Sequence, residues 1–241
     1  MSLQSQLLML QHADSFFPSG ASSWSWGLEP LAHDFKHQFN TRTRQRHTQQ
    51  ELPQTDNAKW VEQFVLSQLQ HRFYHFDAYF LQQAWQSADD LTSLMQLDEE
   101  VDSFTLVHEA RQGSMKMGNS LLRLYAQHDL AKDWLEQIQQ KQAYGHSCVV
   151  QGAMFATLGF ELNDAVLTVA HGYVTSLVSA AIRLGLIGYL ESQQILGTAH
   201  QLLAALIQKG LPSCAALSTF NPMVEIAMMR HEHQETRLFS N

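Results

Sequence analysis

The chain has 241 residues, 45% of them hydrophobic, so it can bury one sizeable core, and we expect a single domain over residues 1–241. Its 15 basic and 23 acidic residues give a net charge of −8, which excludes nucleic acid and anionic membranes as favoured general partners. The first residues lack the basic region and cleavage site of a secretory signal, and the two cysteines, Cys148 and Cys214, indicate buried thiols without metal-type spacing. These features predict a cytoplasmic protein.

Leucines near the N-terminus favour a short amphipathic helix, which an unusual aromatic turn follows. The aromatic turn, residues 14–29, combines bulky rings with residues that punctuate the chain: Phe16, Phe17, Trp24, Trp26, Pro18, Gly20 and Gly27. Ser22 or Ser23 is placed to cap a new helix that runs through Leu28 and Leu31. Two interpretations carry equal weight: a plug packed under the core, or a binding loop.

Residues 35–55 are rich in Gln and Thr. They are locally basic through Lys36, Arg42, Arg44 and Arg46. Such a segment buries too little apolar area to order itself, so we predict a mobile basic loop. From Asp56 to Trp85 apolar residues recur at three- and four-residue steps, which predicts one long helix or two consecutive helices.

Three further helices are predicted before residue 160. Asp98 is placed to cap the first of them. Gly113 and Gly118 lie inside that helix, where each costs roughly 1 kcal/mol relative to Ala, so they indicate close contact with neighbouring helices. A short helix and then another over residues 146–158 follow, and Gly159 ends the latter in a C-terminal cap position.

The most apolar stretch runs from Asp164 to Leu190, and Arg183 is the only formal charge between Asp164 and Glu191. A helix that is apolar on every side has no solvent face, and polar residues leave no continuous block of the ~18 apolar residues that a membrane span needs. We predict a central core helix. Arg183 must then find a local carboxylate or carbonyls, or an edge that opens to solvent or to a partner, and both alternatives remain open.

Two more helices complete the predicted elements. One follows Glu191 and ends before Gly210, and the last begins at Asn221 and Pro222, a cap residue followed by a proline at the first helical position. Almost no period-two alternation occurs, so strands should be absent. The fold class is all-α: a single-domain helical bundle with a central buried helix wrapped by neighbouring helices.

A search for chemistry finds no nucleotide-binding loop, nucleophile elbow, paired-cysteine motif or HExxH motif. His231 and His233 would point about 200° apart on a regular helix, and His171 has no histidine four residues on, so neither forms a helical ligand pair. We expect no enzymatic activity and no catalytic, cofactor or metal residues. The alternative is a small helical enzyme or cofactor-binding protein that uses histidines in its interior.

Four blocks of sequence, in order, resemble the UreF family of urease accessory proteins. They are DSFFPSGASSWSWGLE (14–29), EARQGSMKMGNSLLRL (109–124), SLVSAAIRLGLIG (176–188) and FNPMVEIAMMRHEHQETRLFSN (220–241). The resemblance runs over nearly the whole chain. It implies an all-helical, dimeric, non-enzymatic protein that binds the accessory protein UreD, also called UreH, recruits the GTPase UreG and helps to load nickel into apo-urease.

The resemblance also implies that no cofactor is bound stably and that nickel is handled by the assembled complex. It makes the polar C-terminal tail, residues 231–241, a docking segment of the kind that orders on binding. The residues we expect to bind partners, or to hold the binding surface, are Phe17, Pro18, Gly20, Trp26, Glu29, Arg183, Arg230, His231, Glu232, Arg237 and Phe239.

Overall fold

A computed structural model describes residues 3–34, 54–218, 221–231 and 238–239. Within these ranges the chain forms helices and turns and no strand, which confirms the all-α class. The helices are α1 (Leu3–Ala13), α2 (28–34), α3 (Gln54–Ser67), a π-helical segment (Gln68–Asp77), α4 (Ala78–Gln86), α5 (Leu91–Phe104), α6 (His108–Leu124), α7 (Asp129–Gln139), α8 (Ser147–Thr157), α9 (Leu162–Arg183), α10 (Tyr189–Gln208) and α11 (Pro222–His231). Residues 35–53 of the predicted mobile loop lie outside the described residues.

Helix α9 is the central helix, as predicted, and α1, α3, α4, α8 and α10 pack around it. It is shorter than predicted because Gly185 takes a left-handed backbone conformation, with φ of 66°, and α10 begins only at Tyr189. By length and composition alone α9 could cross a membrane, but 56% of its most apolar window is buried inside the protein. A core helix passes the same test, and the packing identifies α9 as one.

Close contact between α4 and α8 depends on a glycine. A Cβ atom at Gly152 of α8 would overlap the carbonyl oxygen of Leu81 in α4. Leu81 and Phe80 are fully buried in α4, so this contact joins the α4 interior to α8. The side-chain-free surface of Gly152 therefore lets two core helices approach backbone to backbone.

The wide π-helical winding between α3 and α4 is absent from the predicted pattern. At its end the N–H of Ala78 donates to the carbonyl of Phe73, five residues back. The winding also aligns Arg72 with Asp77: Nε and Nη2 of the guanidinium each lie 3.2 Å from a carboxylate oxygen. About a fifth of each side chain is exposed, so the chain keeps an ion pair next to its core.

Asp98 does not cap a helix start, which corrects the prediction. Asp90 caps α5, accepting from the N–H groups of Thr92 and Ser93, and Asp98 lies fully buried inside that helix. Its carboxylate accepts three N–H groups, those of residues 144, 145 and 146, each at 2.7 Å. We call this arrangement the Asp98 joint, because it fixes the loop before α8 onto α5.

Two smaller predictions also change. The helix after the aromatic turn is capped by Ser25, whose Oγ accepts from the N–H of Glu29 at 3.2 Å, while Ser22 and Ser23 lie in a preceding 3-10 turn. Cys148 is buried, as predicted, and burial raises its pKa. Cys214 is exposed in the 3-10 turn Cys214–Ala216, which corrects the prediction of a buried thiol.

Candidate partner-binding site

Three predicted site residues, Glu29, Arg183 and Phe239, meet at one place together with Leu238, and we call these four residues the tail clasp. The Glu29 carboxylate accepts the N–H of Leu238 at 2.8 Å and the N–H of Phe239 at 3.2 Å. The Phe239 ring is 5% exposed, and the guanidinium carbon of Arg183 lies 4.2 Å from its centroid. Leu238 and Phe239 are thereby held on the body of the protein by the Glu29 carboxylate and by a cation–π contact with Arg183.

Arg183 is the last residue of α9 and is exposed at the edge of the core. Partial burial lowers its pKa from the ordinary value, although a guanidinium keeps its charge. A cation above an aromatic face contributes roughly 0.5–2 kcal/mol, depending on how far water is excluded. Arg183 therefore adopts the edge position that the sequence left open, and its flat face is occupied by the tail.

The aromatic turn packs tightly beneath α11. The Trp24 ring lies on Gly113 of α6, where a Cβ atom would come within 3.0 Å of the indole. Trp26 has a φ of 51°, rare for a residue with a side chain, and its ring centroid lies 6.1 Å from that of Tyr173. Gly27, also left-handed, leaves no room for a Cβ atom beside Val224 of α11. The packed-plug interpretation of the turn is thus confirmed for Trp24.

Helix α11 has one face on the protein and one in solvent. Val224, Ala227 and Met228 are buried. Three apolar residues on the other side are exposed, Met223 by 72%, Ile226 by 48% and Met229 by 48%, and we call them the α11 stripe. Beside it Arg230 makes an exposed ion pair with Asp34 at 3.1 Å. The helix therefore presents a short apolar surface bordered by charge.

The other predicted site residues lie elsewhere or outside the described residues. The Phe17 ring packs 4.4 Å from the ring of His12 at the end of α1, and Pro18 and Gly20 beside it are exposed. The backbone of His231 ends α11, and Glu232 and Arg237 lie outside the described part of the chain. The structure thus separates a Phe17 region from the tail clasp.

A cavity of about 150 Å³ lies between the aromatic turn, the π-helical segment and α9. Its wall includes the Arg72–Asp77 pair, Tyr173 and His12. Burial raises the pKa of Tyr173, and it raises the pKa of Asp77 by more than Arg72 lowers it. His12 is held by the Leu8 carbonyl at 2.7 Å, so its Nδ1 carries the proton there.

The interior histidines do not converge on one site. His12 lines the cavity, whereas His146 does not and is fully buried against Asp102, 3.3 Å away. Among the described residues no group of three His, Cys, Asp or Glu side chains is placed to hold a metal ion. This arrangement gives the alternative hypothesis of an interior histidine site no support.

Sequence reasoning missed two polar pairs. The sequence contained a signal for the first pair, Arg72 and Asp77, because Arg72 interrupts an otherwise apolar helical stripe. The second joins His171 of α9 to His200 of α10, with Nδ1 and Nε2 3.0 Å apart. No periodic pattern connects residues on different helices, so only the packing of α9 against α10 reveals it.

Comparison with known proteins supplies the remaining finding. The model of the UreF family matches residues 55–200, more than half of the 241-residue chain. The chain is 28% identical to the urease accessory protein UreF of Paenarthrobacter aurescens, with 99% of each chain covered. It is 25% identical to the protein of that name from Actinobacillus pleuropneumoniae serotype 5b, covering 96% of each, and 26% identical to that of Trichodesmium erythraeum, covering 99% and 98%.

Proposed function

This chain belongs to the UreF family of urease accessory proteins, and from that premise we propose that it works as a chaperone scaffold in urease maturation. In this proposal it binds UreD (UreH), recruits the GTPase UreG and supports nickel insertion into apo-urease. It acts in the cytoplasm as a homodimer, catalyses no reaction and binds no cofactor stably. Nickel is the cargo of the assembled complex.

The observation that carries the proposal is the α11 stripe. Exposed apolar side chains that adjoin one another and are bordered by charge are typical of protein-binding surfaces. Met223, Ile226 and Met229 recur at three-residue steps on one face, which is the pattern of a helix that lies in a partner's groove. We assign this face to UreD.

The tail clasp supports a second part of the proposal. Glu29 and Arg183 hold Phe239 through contacts that a partner can replace, since neither uses a deeply buried charge. Arg is also one of the side chains that most often dominates binding energy at interfaces. We propose that complex formation moves the tail and makes the Arg183 face available to UreG.

The principal experiment is co-purification of the chain with UreD. Ile226→Glu and Met223→Glu place a carboxylate in the α11 stripe and should each weaken the complex by at least about tenfold, because an unpaired charge is buried on binding. Leu7→Glu on α1, where Leu7 is 67% exposed, is the matched control and should leave the complex intact. Retention of UreD by both α11 variants would refute this surface.

Arg183→Ala separates the two partner assignments. The variant should still bind UreD and dimerise, while UreG recruitment to the UreD complex and urease activation fall together. Deletion of residues 231–241 should instead abolish the UreD complex itself. If the deletion leaves that complex unaffected, the tail has no part in UreD binding.

A further inference from the structure

A second cavity, of about 40 Å³, lies beside the first turns of α11, and we call it the α11 cavity. Three parts of the chain that are far apart in sequence line it: Gln68 of the π-helical segment, Thr105 between α5 and α6, and Asn221 at the start of α11. Buried apolar residues form much of the remaining wall: Val107, Ala110, Val224 and Met228. A largely apolar wall thus carries polar groups from three segments.

Each of these three polar side chains has a buried atom that lacks a hydrogen-bond partner in the described part of the chain. The atoms are Nε2 of Gln68, Oγ1 of Thr105 and Nδ2 of Asn221. Gln68 is 2% exposed and Thr105 is 4% exposed. Oε1 of Gln68 accepts from the Tyr173 hydroxyl at 3.0 Å, which orients the amide and leaves Nε2 to donate elsewhere. Buried polar groups are nearly always hydrogen-bonded, so three exceptions on one cavity wall point to a ligand.

We propose that the α11 cavity binds a small cluster of ordered water molecules that bridge Gln68, Thr105 and Asn221. A cavity holds a water molecule where it offers at least about 10–15 Å³ and two or more polar partners, so the α11 cavity accommodates up to about three. Water accepts from the two amide groups, and it both donates to and accepts from the Thr105 hydroxyl. The cluster therefore satisfies all three atoms at once.

The charges around the α11 cavity favour water over an ion. Arg72 lines the cavity, but two of its guanidinium nitrogens lie 3.2 Å from the carboxylate oxygens of Asp77, which offsets the positive charge that would attract an anion. Glu225 also lines the cavity, and its negative charge disfavours an anion further. A cation would meet the amide nitrogens of Gln68 and Asn221, which only donate. A neutral molecule that both accepts and donates hydrogen bonds fits best.

Water in this cavity joins the π-helical segment, the connection between α5 and α6, and α11 through hydrogen bonds that can re-form after a small shift. A direct hydrogen bond is confined to a narrow range of distances and angles, whereas a water molecule can move with its partners. Helix α11, which carries the α11 stripe, is thereby seated on an adaptable contact. The inference uses no partner protein, so it does not depend on the proposed function.

The purified full chain tests the site through the direction of one effect. Thr105→Val keeps the shape of the side chain and removes its hydroxyl. Because water bonds that hydroxyl, the substitution should raise the equilibrium constant for unfolding, measured by urea denaturation, by at least about twofold. In a dry cavity the same substitution would remove an unsatisfied buried group, and the constant would fall. Thr92→Val, at an exposed position on α5, is the matched control and should change the constant by less than about twofold.

Nuclear magnetic resonance of the wild-type chain supplies the direct measurement. The side-chain NH₂ protons of Gln68, which bulk solvent does not reach, should show nuclear Overhauser contacts to slowly exchanging water. The proposal is overturned if Thr105→Val lowers the unfolding constant or leaves it no more changed than Thr92→Val does. A Gln68 amide without any water contact overturns it equally.

Discussion

Asp98 and Glu29 each accept backbone N–H groups from distant parts of the chain, and they do so in opposite surroundings. Asp98 is fully buried and accepts three N–H groups at 2.7 Å, which fixes the start of α8 to α5. Glu29 is half-buried and accepts two, at 2.8 and 3.2 Å, which holds the tail. Without Asp98 the N–H groups of Gly145 and His146 would be buried and unsatisfied, whereas without Glu29 water can replace the bonds. Burial thus separates a permanent joint from a releasable contact.

The largest effect is expected from Asp98→Ala. It removes the acceptor of three N–H groups, two of them buried, so the free energy of unfolding should fall by about 3–5 kcal/mol. Urea denaturation measures the loss, and Glu100→Ala, an exposed carboxylate on the same helix, is the control. A loss below about 1 kcal/mol would mean that Asp98 is no more structural than Glu29.

Gly118→Ala tests the same joint from its other side. A Cβ atom there would overlap the carbonyl oxygen of Gly145, whose own N–H is held by Asp98. Moving the loop strains the three bonds, so we expect a loss of about 1–3 kcal/mol in the free energy of unfolding. Gly197→Ala in α10, which meets nothing within 4 Å, should be neutral or stabilising.

The free energy of unfolding should also fall in acid through His146, whose N–H is one of those that Asp98 accepts. Burial lowers the pKa of His146 in the folded protein, although Asp98 and Asp102 oppose the shift. In the unfolded chain the pKa of this histidine is about 6.5. Between these two pKa values the unfolded chain therefore binds a proton that the folded protein does not. The contribution of neutral His146 to the free energy of unfolding should be fully present above pH 6.5 and should decrease as the pH drops below it. Between pH 6.5 and 5 the free energy of unfolding should change less steeply with pH in His146→Gln than in the wild type, by at most about 1.4 kcal/mol per pH unit. His108→Gln should keep the wild-type slope.

The smallest change in stability, and the most informative about binding, is expected from Glu29→Gln. Two charge-assisted hydrogen bonds at a half-buried site weaken, so the free energy of unfolding should change by less than about 1 kcal/mol. Hydrogen exchange at the Leu238 and Phe239 amides should nevertheless become faster, with Glu99→Gln as control. A decrease of several kcal/mol in the free energy of unfolding would instead mean that Glu29 stabilises the fold as Asp98 does.

Features decided by neighbours in the sequence were predictable. The Asn221–Pro222 start of α11 and the Gly159 end of α8 need only local backbone chemistry, and both predictions are confirmed. Asp98 could not be assigned because its partners lie 46 to 48 residues away. Glu29, Arg183 and Phe239 were chosen individually through the family resemblance, and their meeting in one clasp depends on tertiary packing.

The π-helical segment Gln68–Asp77 has a consequence for chain length. Each residue in it advances less around the helix axis than the 100° of an α-helix, so over ten residues the lag reaches on the order of half a turn. Regular winding would turn Phe80 and Leu81, both now fully buried, toward the opposite side. A lag of half a turn corresponds to about two residues of regular helix, so deleting about two residues and restoring regular winding would keep both side chains on the same side. A two-residue deletion in this segment should therefore be tolerated better than a return to regular winding at constant length, which would rebuild the α4–α8 interface around different side chains.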